Sequence, residues 1–183
     1  MSALVGFIRG VDALNDWIGR TMAWLTLGCV LTCFAVVVLR YAFDVGFPWL
    51  QELYVWQHAA VFMAGAGHTL LHGGHVSVDV LYGKASPRRR AWIDIAGTLV
   101  FLFPWLAVVA TASAPFVLSS WSIREASSTA GGMPAVYLLK SLLWVFCALL
   151  FVQGLALIAR RGLFLAGHAL PETGTEGGTR DQA

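Results

Sequence analysis

The sequence predicts an all-α integral membrane protein. It should have four transmembrane helices behind an N-terminal amphipathic interfacial helix, with both termini cytoplasmic. Three observations carry this. The 183 residues are 58% hydrophobic and 12% charged, against roughly 45–50% and 25% in soluble domains. The apolar residues gather into four long, nearly charge-free runs. The basic residues fall overwhelmingly on one side of those runs. A formal net charge of +2 is too balanced for a nucleic-acid partner, and the composition excludes a water-exposed soluble enzyme.

Residues 1–22 read as the interfacial helix. Leu4, Phe7, Ile8, Val11, Leu14, Ile18 and Met22 recur at helical spacing, while Arg9, Asp12, Asn15, Asp16 and Arg20 fill the other side. Acids inside the segment and the lack of a small-residue cleavage site argue against a signal peptide. The four-helix membrane domain then covers 21–160. Thr21 to Leu39 gives nineteen uncharged residues between Arg20 and Arg40, enough to cross about 30 Å of hydrocarbon. The other spans are expected at about 49–72, 91–118 and 134–159. Gly73 and Gly74 end the second. Ser86 before Pro87 reads as an N-cap with proline in the first turn of the third, and Pro104 and Pro115 predict kinks within it. Residues 171–183, rich in Pro, Glu, Thr and Gly, read as a disordered cytoplasmic tail.

Orientation follows from charge. Arg9, Arg20, Lys84, Arg88, Arg89, Arg90, Arg160, Arg161 and Arg180 share one side, and Arg40, Arg124 and Lys140 lie on the other. The positive-inside rule places the first group in the cytoplasm and turns the loops bearing Asp44, Glu52 and Glu125 outward. Trp17, Trp24 and Trp92 would mark the inner interface, and Trp49 and Trp121 the outer. The three cysteines, Cys29, Cys33 and Cys147, all sit in apolar runs and read as free thiols acting as small hydrophobes.

Glu52 and Lys140 lie a short way below the outer interface on different helices, where they either pair or each reach their own headgroup layer. His68, His72 and His75 follow i, i+4, i+7 spacing, which can hold a metal. The glycine pair between the last two breaks the helix, and no acidic or cysteine ligand is close until Asp79, so interface histidines are the better reading and no metal is assigned. A haem between helices lacks a second axial histidine, since all but His168 belong to the second span or its inner end. Ala60, Ala64 and Gly67, like Ala107, Ala110 and Ala114, form small-residue faces that permit close helix approach, within the bundle or to a larger subunit. Nucleophile-elbow, phosphate-loop, HExxH and dinucleotide signatures are missing, so the chain is not expected to be an enzyme and no cofactor is assigned. A redox anchor for haem or quinone and a stand-alone exporter or regulator are the competing classes.

The run Pro48-Trp49-Leu50-Gln51-Glu52, then Trp56, Gly65-Ala66-Gly67, and Gly74-His75-Val76-Ser77-Val78-Asp79 resembles the DctQ-like small permease subunit of tripartite ATP-independent periplasmic (TRAP) transporters. Ser86-Pro87-Arg88-Arg89-Arg90 and, farther on, Trp121, Glu125, Ser127, Pro134, Lys140 and Gln153-Gly154 are similar to the same pattern, so the resemblance spans about residues 10–160. It implies a static brace in a bacterial inner-membrane secondary transporter. Its partners would be membrane lipid, a large permease subunit that moves an organic acid or similar solute with sodium, and a periplasmic solute-binding protein. It also implies structural or subunit-interface roles for Glu52, Trp49, Trp56, Ala60, Ala64, Gly67, His75, Asp79 and Lys140. Trp121, Arg124 and Glu125 are candidates for docking the binding protein.

Overall fold

A computed structural model describes residues 2–74 and 85–168, so the tail at 171–183 and the motif positions His75 and Asp79 lie outside the described residues. Among the described residues all the regular structure is helical: α1 (Ser2–Ala42), α2 (Pro48–Leu71), α3 (Pro87–Gly97), a π-helical turn (Thr98–Leu102), α4 (Phe103–Ser122) and α5 (Val136–Leu165).

α1 is one helix of 41 residues, about 60 Å at 1.5 Å per residue and roughly twice the hydrocarbon thickness. Its hydrogen-bond ladder is unbroken across residues 20–22, where the sequence suggested that an interfacial helix gives way to a span. Thr21, Thr26 and Thr32 stay compatible with an apolar helix because each hydroxyl donates to the carbonyl four residues back, Trp17, Met22 and Gly28, at 2.8–3.0 Å. The buried stripe in its first half also differs from expectation. Ile8, Val11 and Asn15 are buried, while Leu4, Phe7 and Leu14 are exposed. The polar Asn15, assigned from sequence to the wet side, faces the bundle because a buried polar partner on α5 awaits it.

The joints follow local rules. Proline opens α2, and its C-terminus closes in a Schellman motif: Gly73, at φ 63°, donates to Leu70 O, and Gly74 donates to Thr69 O. Ser86 caps α3 as expected, its hydroxyl accepting the Arg89 N–H, with Pro87 in the first turn. The π turn sits immediately before Pro104. Proline has no N–H to give and its ring crowds the carbonyl four residues back, so one wider turn, closed by Phe103 N–H to Thr98 O, absorbs the mismatch without breaking the helix. The third apolar element is therefore helical from 87 to 122, longer than the 91–118 expected, and the last runs over 136–165 rather than 134–159.

α5 is the central element, packing against α1, α2, α3 and α4, while α1 and α2 pair closely beside it. Leu106, Cys147 and Leu150 form the buried centre, with Ala66, Leu70, Leu102, Phe103 and Phe146 around them. All three cysteines are free. Gly154 allows the π turn to approach: a Cβ there would lie 2.8 Å from Phe103 Cε1 and 3.2 Å from Thr98 Cγ2. An open, mostly apolar groove of about 1340 Å³ lies between α1, α2, the π turn and α5.

Outward surfaces are apolar: Phe34, Phe62 and Phe101 are 64, 68 and 75% exposed. Such a surface suits lipid or a partner helix and would promote association in water. Three helical stretches, Ser2–Ala42, Pro87–Ser122 and Val136–Leu165, are long and apolar enough to cross a membrane. α2 is not among them. Its 24 residues reach about 36 Å, but Glu52, Gln57, His58 and His68 lower its hydropathy.

Candidate functional site

Charged side chains leave the middle of the bundle empty. Residues 21–39, 53–71, 95–123 and 141–159 contain no Asp, Glu, Lys or Arg. The polar chemistry gathers in two layers, one at each end.

At one end the α4–α5 loop folds over the start of α2. α4 closes in a Schellman motif whose left-handed position is Arg124, at φ 46°, with Glu125 N–H bonded to Ser120 O. A side chain in that conformation costs about 1–2 kcal/mol, and contacts made by the loop beyond Arg124 offset it. Glu52 is the anchor: it accepts the Ser127 hydroxyl on one oxygen and the Met133 N–H, at 2.7 Å, on the other. Gly132 passes so close that a Cβ would lie 2.6 Å from the Glu52 carboxylate. The same loop is pinned again where Lys140 of α5 donates to Glu125 at 2.5 Å, with its ammonium 3.9 Å above the Phe116 ring. That hydrogen bond holds the Glu125 carboxyl below its ordinary value.

Of the two readings left open for Glu52 and Lys140, the mutual pair is not formed. Glu125 takes Lys140, because the loop carries it to α5, and Glu52 is satisfied by loop donors instead. Trp121 donates its indole N–H to Ser141 at 2.8 Å and meets Tyr137 edge-on. Trp121 and Arg124 remain exposed, whereas Glu125 is half-buried and paired. Trp49 is half-exposed beside Phe47. Trp56 lines a cavity of about 460 Å³ with Pro48, Gln51, Glu52 and Glu125.

The opposite end holds a network of which the family pattern marked Gln153 alone, without its partners on α1. Gln153, 2% exposed on α5, accepts from Asn15 Nδ2 at 2.8 Å and donates to Asp12 Oδ1 at 3.2 Å. Asp12 also pairs with Arg160, and Arg161 with Asp94 at 2.8 Å. Asn15 presses on Gly67, where a Cβ would collide with its amide. Ala64 and Gly67 are buried and Ala60 half-buried, so this small-residue face packs inside the bundle. The signal that could have shown this is Asn15 itself, standing on one helical stripe with Ile8 and Val11. A third cluster, Asp16 with His68 and His72, joins α1 to α2.

Apolar outer faces, three helical stretches of spanning length and polar layers confined to the two ends define an α-helical, multi-pass membrane protein. The model of one family, the DctQ component of tripartite ATP-independent periplasmic transporters, matches residues 29–162. The chain belongs to that family, and it is a component of a transporter. No curated relative and no solved structure matches it.

Proposed function

We propose that this chain is the small, non-translocating subunit of its transporter. It would brace the large permease in the bilayer and present a rigid outer surface to the solute-binding protein during sodium-coupled uptake of an organic acid or similar solute. The carrying observation is the middle of the bundle: between its two polar layers the chain has no charged side chain to pair with an anionic solute or a coupling cation, yet it offers broad apolar faces. Val30 and Phe34 on α1 and Phe101 and Val108 on the π turn and α4 are exposed and suited to lipid or the large subunit.

In this reading α2 is the fourth span, both termini are cytoplasmic, and the first half of α1 continues the first span through the inner headgroup layer of the bacterial inner membrane. The loop clamped by Glu52 is then periplasmic, with Trp121 and Arg124 available to the binding protein. His75 and Asp79, in the second motif, fix the inner end of α2 or meet the large subunit. The substrate is chosen by the binding protein and large subunit.

Reconstitution tests this. Vesicles holding the chain together with its large permease and binding protein should accumulate solute under a sodium gradient, and vesicles lacking any one of the three should not. Accumulation by this chain alone overturns the reading. Cysteine labelling at residues 44 and 128 from the outside, and at 88 from the inside, tests the orientation.

A further inference from the structure

We propose that Asp16, His68 and His72 form a binding site for a divalent transition-metal ion of the zinc class, clipping α1 to α2. Asp16 Oδ1 lies 3.7 Å from His68 Nδ1 and 3.9 Å from His72 Nε2, and the three ligand atoms all fall within 4.8 Å of one another. Zinc bonds of about 2.0–2.2 Å in tetrahedral array put neighbouring ligand atoms roughly 3.3–3.5 Å apart. The two Asp16–histidine separations need shifts of only a few tenths of an ångström, and a turn of the exposed His72 ring that brings it about 1 Å closer to His68 completes the site.

Three further features point to an ion. His72 Nδ1 lies 3.1 Å from the His68 carbonyl. A carbonyl only accepts, so this contact occupies Nδ1 and leaves Nε2, on the Asp16 side, as the nitrogen a metal would take, the arrangement in which metal-binding histidines are commonly oriented. His68 Nδ1 is buried as an atom and has no hydrogen-bond partner. Its ring is seated against Gly19, where any Cβ would collide with it. Arg20 holds the other Asp16 oxygen, Oδ2, at 2.6 Å, leaving Oδ1 for the histidines. Each of the three ligand side chains is about a third exposed, at 30, 33 and 34%, so an ion can enter from water and keep water in its remaining positions.

Histidines at i and i+4 already share a helix face. The acidic ligand missing from the local sequence comes from α1, and it lies outside the stretch matched by the family, 29–162.

The test uses the tag-free, chelator-stripped full chain in detergent, titrated with zinc against a chromophoric chelator. One equivalent should bind, and cobalt should give the visible bands of a low-coordinate site. Asp16→Asn and His72→Gln should each weaken zinc by more than the roughly 10- to 100-fold typical of losing an outer partner of a metal ligand. His58→Gln, elsewhere on α2, should change nothing. Far-ultraviolet circular dichroism checks the fold of each variant. Should Asp16→Asn misfold, His72→Gln carries the test, because His72 sits at the exposed end of α2. Binding below stoichiometry, or zinc affinity unchanged in the folded variants, overturns the proposal.

Discussion

Gln153→Leu should uncouple the first half of α1 from the bundle. The side chain is 2% exposed and links Asn15, at 2.8 Å, to Asp12, at 3.2 Å. Leucine fills nearly the same volume but strands an Asn15 N–H in a buried place, a loss of about 1–3 kcal/mol. Two facts draw the value downward. Asn15 Nδ2 still donates to Val11 O at 3.2 Å, and interhelical hydrogen bonds in membrane proteins average only about 0.6 kcal/mol, with a maximum near 1.7. The expected cost is therefore about 1 kcal/mol.

Asn15→Leu on top of it removes the stranded donor and also the buried Asn15 Oδ1, which has no partner. The double variant should recover part of the loss, because replacing both members of a buried pair with apolar groups is close to neutral. Equilibrium unfolding in mixed detergent micelles, run as a double-mutant cycle, reads the coupling directly. If Gln153→Leu costs nothing measurable, or the two losses simply add, the network does not hold α1 in place.

Three other outcomes rest on the packing. Glu52→Ala should release the α4–α5 loop and speed its cleavage by added protease, with Glu52→Gln intermediate, since an amide replaces only one of the two acceptors used by Ser127 and Met133; equal cleavage in all three would deny the clamp. The Glu125–Lys140 contribution has a defined pH sign. Glu125 is lowered from an ordinary 4.5, so the tether is fully present above that value and lost only as pH falls below it through the lowered one. Melting should be indifferent to Glu125→Gln below that range and sensitive at pH 7, and a loss of that sensitivity already by pH 6 would be inconsistent with this pairing. Gly154→Leu, which drives side-chain bulk into Phe103 and Thr98, should cost about 1–3 kcal/mol by overpacking, read as a lowered melting temperature; an unchanged melt would mean that α5 and the π turn do not approach so closely.

What the sequence determined by itself was local. Ser86-Pro87 started a helix and Gly73 ended one because caps are settled within a turn of their own position. The charge-free runs became long helices because a backbone in an apolar setting must satisfy itself with bonds four residues apart. Pro104 announced a distortion, though not that it would be a π turn. Only the tertiary structure decided which polar group meets which. Each residue turns a helix by about 100°, so small differences in rotation and register choose the facing side chains. That is why Asn15 points inward and Asp16 reaches His68 and His72 on a different helix. Lys140 finds Glu125 rather than Glu52 for a related reason: an irregular loop, whose path no periodicity encodes, brings one carboxylate to α5 and covers the other.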